Sequence, residues 1–197
     1  QVTCRIGTNN LQAGIKAAEA ALATDDEELY IGIVNYDVNS ANGQQRELGF
    51  RQTVEQDPRV KNITTINVLS TTEDARAGAK EMLLSDSRIN VVVTFNEWTS
   101  LGVGWAIRDL NRADRIQVVA FDSNVVSVGM LETGEVDALI VQNPYAMGYL
   151  GVETAANLMN GQTGGCRVGG GCTPIAPPER HPRGGYCHDH CHQREYV

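Results

Sequence analysis

Residues 1–163 of this 197-residue chain contain no histidine and a single cysteine, Cys4. The parts of a Ser/His/Asp or Cys/His nucleophilic site are therefore missing from that region, as are those of most zinc centres. No apolar run approaches the roughly 18 residues of a membrane span, and the run at Val91–Val93 stops at Thr94. Basic side chains are outnumbered, 16 against 24 acids, for a formal charge of −8. That balance argues against a nucleic-acid face and for a small or neutral partner. Gly102-Val103-Gly104 lacks the third glycine of a dinucleotide fingerprint. The acidic run Asp25-Asp26-Glu27-Glu28 reads as a solvated loop and not as a catalytic dyad. Neither an enzyme nor a cofactor is expected. The chain opens at Gln1 with no initiator Met and no leader, which reads as a processed protein or a fragment.

What is present is ordinary globular composition, 42% hydrophobic and 20% charged. Short apolar runs at Leu29–Tyr36, Asn62–Val68, Asn90–Phe95, Gln117–Phe121 and Ala138–Gln142 read as buried strands. Between them lie helical patterns over Gly14–Leu22, Gln44–Glu55, Thr72–Leu84, Ser100–Leu110 and Pro144–Met159. Continuous apolar strands alternating with helices predict an α/β fold, a parallel sheet with helices on both faces.

Ligands of open parallel sheets bind beyond the carboxyl ends of the strands. Here those ends carry Tyr36-Asp37, Phe95-Asn96-Glu97-Trp98, Phe121-Asp122-Ser123-Asn124 and Gln142-Asn143-Pro144-Tyr145. Carboxylates and amides exchange hydrogen bonds with hydroxyl groups, and aromatic faces cover the C–H side of a ring. Such a rim suits a small polyhydroxylated molecule that is held and not altered. Each Asp or Asn after a strand is equally at home as a helix N-cap. Trp98 and Tyr145, taken singly, are more often packing residues.

The stretches Ile6–Gly14 (IGTNNLQAG), Asn42–Phe50 (NGQQRELGF), Val91–Ile107, Val118–Asn124 (VVAFDSN) and Leu131–Gly161 resemble, in order and spacing, the sugar-type periplasmic binding proteins of ABC importers. The resemblance covers essentially residues 5–162 and implies two α/β lobes joined by three crossings, with a sugar between them. It implies that Arg46, Asn96, Asp122 and Gln142 are ligand contacts, with Glu97 and Trp98 beside the site. It further implies delivery of a carbohydrate to an ABC permease or a chemoreceptor, and a periplasmic or other extracytoplasmic location, including a cell-surface lipoprotein. Against that pattern, residues 1–143 correspond to the C-terminal lobe. Residues 144–163 form a helix that packs on an N-terminal lobe absent from this chain, so the chain alone is expected to bind sugar weakly or not at all. The second reading is the effector-binding core of a lactose-repressor-type regulator. That reading requires an N-terminal helix-turn-helix and a different segment in place of VQNPYAMGYLGVE.

Residues 164–197 differ abruptly from the rest. They hold four cysteines, all four histidines, seven glycines, four prolines and no lysine. Cys187, His188, His190 and Cys191 are metal ligands by type, with Cys166 and Cys172 to complete a zinc site, but their spacing matches no established zinc pattern. A disulfide-stapled or disordered tail and the out-of-frame translation of a GC-rich gene are the other readings.

Overall fold

The computed structural model describes residues 4–161 and the backbone of Thr173–Ile175. Five strands, β1 (Leu29–Tyr36), β2 (Val60–Val68), β3 (Val91–Thr94), β4 (Gln117–Phe121) and β5 (Ala138–Val141), pair in parallel in the order β2-β1-β3-β4-β5. A sixth, β6 (Thr173–Ile175), pairs antiparallel with β5, placing Thr173 beside Val141. The sequence reading assigned no strand there. The remainder of residues 164–197, including Cys187, His188, His190 and Cys191, lies outside the described residues. Cys4 is disulfide-bonded.

Among the described residues six helices accompany the strands: α1 (Asn10–Leu22), α2 (Ala41–Val54), α3 (Thr72–Ser85), α4 (Glu97–Leu110), α5 (Val125–Thr133) and α6 (Pro144–Met159). Alternate strand residues feed opposite cores. Val91, Val93, Val119 and Phe121 join Ala13, Ala17 and Phe50 of α1 and α2. Val92, Val118 and Ala120 join Ala79, Leu83, Val103 and Met130 of α3, α4 and α5. Burial on both faces is why β3 and β4 read as unbroken apolar runs; the edge strand β2, also expected to be buried, has no buried residue.

The polypeptide backbones of α1 and α2 touch. A Cβ on Gly14 would lie 2.0 Å from the Arg46 carbonyl oxygen, and one on Gly49 would lie 2.2 Å from that of Leu11. Only two residues without side chains allow so close a crossing.

The sequence reading missed α5. Its apolar side chains surround the axis: Val125, Val126 and Val128 are exposed while Met130 and Leu131 are buried. Its signals are terminal ones, a capping box between Asn124 and Ser127 and a left-handed Gly134 at φ 87°. α6 has no buried residue, and Tyr145, Tyr149, Val152 and Met159 are exposed on it.

Candidate functional site

Turns at the carboxyl ends of β3, β4 and β5 carry Asn96, Asp122 and Gln142, three of the six sequence-selected residues. Arg46 reaches them from α2. Its side chain belongs to a residue only 3% exposed, and Nη1 donates to the Phe95 carbonyl at 2.5 Å. Cζ stands 4.8 Å from the centre of the Phe121 ring. The guanidinium thus spans the residues that immediately precede Asn96 and Asp122. Phe50, Phe95 and Phe121, stacked edge to face with centroids 6.0 and 5.7 Å apart, form its apolar floor.

Arg46 forms no salt bridge with any described residue. Its acceptors are the Phe95 carbonyl and, from Nε at 2.9 Å, the amide oxygen Oδ1 of Asn10. A buried cation held only by neutral oxygens keeps its full charge for whatever approaches it, at a desolvation cost that a ligand oxygen offsets.

Asn96 both caps a helix and borders the site. Its Oδ1 accepts from the Thr99 N–H at 2.9 Å and the Thr99 hydroxyl at 2.7 Å, capping α4. Its Nδ2 donates to Ser70 Oγ at 2.8 Å. Asp122 lies in the left-handed region at φ 64°, a conformation that Asp tolerates better than most residues. Its Oδ1 accepts from Gln142 Nε2 at 2.6 Å, and Gln142 Oε1 accepts from the Thr8 hydroxyl at 2.6 Å. Glu97 and Trp98 stand on the first turn of α4, outside this cluster. Glu97 accepts from Asn124, and Trp98 is half exposed.

Ser100, 1% exposed, ties the turns beneath. Its hydroxyl oxygen accepts from the Phe121 N–H at 2.9 Å and lies 2.7 Å from the Asn96 carbonyl. It thereby continues the contact between β3 and β4 past the last paired residues, Val93 and Val119.

Beside this cluster is an open cavity of about 510 Å³ lined by Arg5–Asn10, Asn42, Gln45, Gln142 and Met147. Of the residues selected from sequence, only Gln142 lines it. Thr8, Asn10, Asn42 and Gln45 were not selected, although the first two fall in IGTNNLQAG and the others in NGQQRELGF. Among the described residues no group of His, Cys, Asp and Glu is arranged to hold a metal ion, and no helix is long and apolar enough to cross a membrane.

The profile of the periplasmic binding protein domain matches residues 1–163. The chain is 28% identical over 133 residues to the D-ribose/D-allose-binding protein of Pseudomonas aeruginosa, covering 68% of this chain and 41% of that protein. A carbohydrate transporter solute binding protein from Agrobacterium radiobacter, solved with D-arabinose, is 27% identical with a TM-score of 0.82, over 86% of this chain and 60% of that one. The periplasmic component of an ABC-type sugar transport system from Hahella chejuensis is 29% identical with a TM-score of 0.81, over 86% and 63%. The chain thus spans about two fifths to three fifths of the length of these relatives, and they offer the repressor reading no support. On the profile match across most of its length, this chain belongs to the periplasmic binding protein domain family.

Proposed function

We propose that the chain forms the C-terminal lobe of a solute-binding component that delivers a small carbohydrate to an ABC permease outside the cytoplasm. The observation that carries this is the buried Arg46, unpaired with any carboxylate among the described residues, packed over Phe121, the residue preceding Asp122, which in turn hydrogen-bonds Gln142. A guanidinium donates in two directions and a carboxylate accepts from two hydroxyls, which is the complement of a sugar ring. Asn96 adds an amide, and Trp98 and Glu97 form the outer rim. The reading needs no catalytic group: the ligand is bound and released unchanged. Cleft closure on the sugar is the signal to the permease, or to a chemoreceptor in the same role. α6, with no buried residue, packs on the companion N-terminal lobe, so affinity belongs to the two-lobed protein and not to this lobe alone.

The test uses the full-length gene product and a panel of D-ribose, D-allose and D-arabinose. A sugar that raises the melting temperature of the parent protein is expected to raise it no longer in Arg46→Ala or Asp122→Ala, each still folded by circular dichroism. Retained binding in both variants overturns the site.

A further inference from the structure

Asn10 is the first residue of α1, but it is not the helix cap. Asn9 fills that role, its side chain accepting from the Gln12 N–H at 3.1 Å. The Asn10 amide is buried at 7% exposure and committed elsewhere. Oδ1 accepts from Arg46 Nε at 2.9 Å, and Nδ2 donates to Asn42 Oδ1 at 3.2 Å. One turn on, Gly14 rests on the carbonyl oxygen of Arg46 itself, and residues four apart share a helix face. α1 is therefore seated on α2 at Arg46, with Asn10 directed at the guanidinium.

The other fixed points of that guanidinium are the Phe95 carbonyl and the Phe121 ring. Nη2 donates to no described residue. It is not sealed from solvent either, since Gln117 Oε1 is the only sealed, unpartnered side-chain polar atom among the described residues. Three contacts hold the group and leave one edge open.

We propose that Asn10 is a positioning residue: its amide locks Arg46 with Nη2 turned outward, and as a neutral acceptor it leaves the guanidinium charge undiminished for a ligand oxygen. An aspartate at this place would pair with the cation; an apolar residue would let it rotate about its side-chain torsions. The proposal extends the sugar-site reading, yet its first half concerns the ligand-free protein and stands or falls separately.

Two readouts in the full-length protein test it. The first is solvent exchange of the Arg46 Nε–H, observed by nitrogen NMR and assigned by its loss in Arg46→Lys. Asn10→Leu is expected to speed exchange at least tenfold, while Asn10→Asp, which keeps an acceptor, restores protection to within a few-fold of the parent. If Asn10→Leu does not fold, Asn10→Ala takes its place. The second is a double-mutant cycle read with whichever of D-ribose, D-allose and D-arabinose binds. Asn10→Leu is expected to weaken binding at least tenfold in the parent and less than twofold in Arg46→Lys, which keeps a cation for the sugar but no guanidinium for Asn10 to hold. Unchanged Nε–H protection in Asn10→Leu overturns the proposal, and so does a tenfold loss of binding that persists in Arg46→Lys. Faster exchange in a protein that binds none of the three sugars upholds the positioning role and removes the sugar reading instead.

Discussion

Thr8 and Gln142, 134 positions apart in the chain, are joined by a 2.6 Å hydrogen bond from the threonine hydroxyl to the glutamine carbonyl. Gln142 passes the connection on, its amide nitrogen donating to Asp122 at 2.6 Å. The segment leading into α1 is thereby tied, through one side chain, to the carboxylate proposed to accept sugar hydroxyls. Thr8→Val keeps the shape and removes the donor, leaving the Gln142 amide held at one end only. A neutral hydrogen bond contributes about 1 kcal/mol, so sugar affinity should fall about fivefold and the melting temperature by a few degrees. Calorimetric titration alongside thermal unfolding measures both; an unchanged affinity would detach Thr8 from the site.

Ser100→Ala deprives the buried Phe121 N–H of its acceptor. An orphaned buried donor costs about 1–3 kcal/mol. The loss should appear in urea unfolding, with weakened sugar binding because the turns carrying Asn96 and Asp122 are no longer tied. Ser100→Thr or →Cys is a less direct comparison, since each adds volume to a closed core.

Two glycine substitutions should have opposite signs. Gly49→Ala drives a methyl group against the Leu11 carbonyl and should destabilise by about 1–3 kcal/mol or more as α1 is pushed away from α2. Gly129→Ala, inside α5 with nothing within 4 Å of the added carbon, should stabilise by up to about 1 kcal/mol. Paired melting curves distinguish them, and a neutral Gly49→Ala would contradict the close helix crossing.

Asp109 on α4 accepts from Arg76 at 2.6 and 2.8 Å and from Lys80 at 3.1 Å, both on α3. The hydrogen bond from Arg76, then that from Lys80, holds its carboxyl down to about 2, against the usual 3.8. A carboxyl depressed in the folded state contributes stability above its unfolded pKa and loses that contribution as pH falls through the folded one. The difference in urea midpoint between parent and Asp109→Asn should thus hold steady above about pH 4 and close toward about pH 2. The gap should be small because these partners are partly exposed and screened. A gap that widens on acidification would refute the assignment.

The strands were the most legible part of the fold: Leu29–Tyr36 and Gln117–Phe121 are as read from sequence, because burial on both faces makes them largely apolar runs. Helix starts were legible where a cap or a first-turn proline marked them, at Thr72 of α3 and Pro144 of α6, and were read late elsewhere. α1 was read from Gly14 and begins at Asn10, α2 from Gln44 and begins at Ala41, and α4 from Ser100 and begins at Glu97. First turns are polar, since their free N–H groups need acceptors, so apolar periodicity starts only one turn later. The site occupies those same turns. Asn10 and Asn42 lay just outside the assigned helices, and nothing in their spacing distinguished them from ordinary capping residues. Arg46 was identified through the family resemblance and not from strand ends, because a long side chain reaches the site from the middle of a helix. α5 shows the converse case, in which caps mark a helix that periodicity does not.

As the ligand contact proposed above, Asn96 would be limited by its double use in how it could change over evolutionary time. Its carbonyl oxygen holds the start of α4 and its nitrogen holds Ser70. Replacing it to suit another ligand therefore costs about 1 kcal/mol of helix capping before any new contact forms. Trp98, two residues further on in the first turn of α4 and half exposed, has no capping duty. New specificities should accumulate first at the rim, where a substitution leaves the fold intact, while the inner amide stays fixed by a constraint unrelated to the ligand.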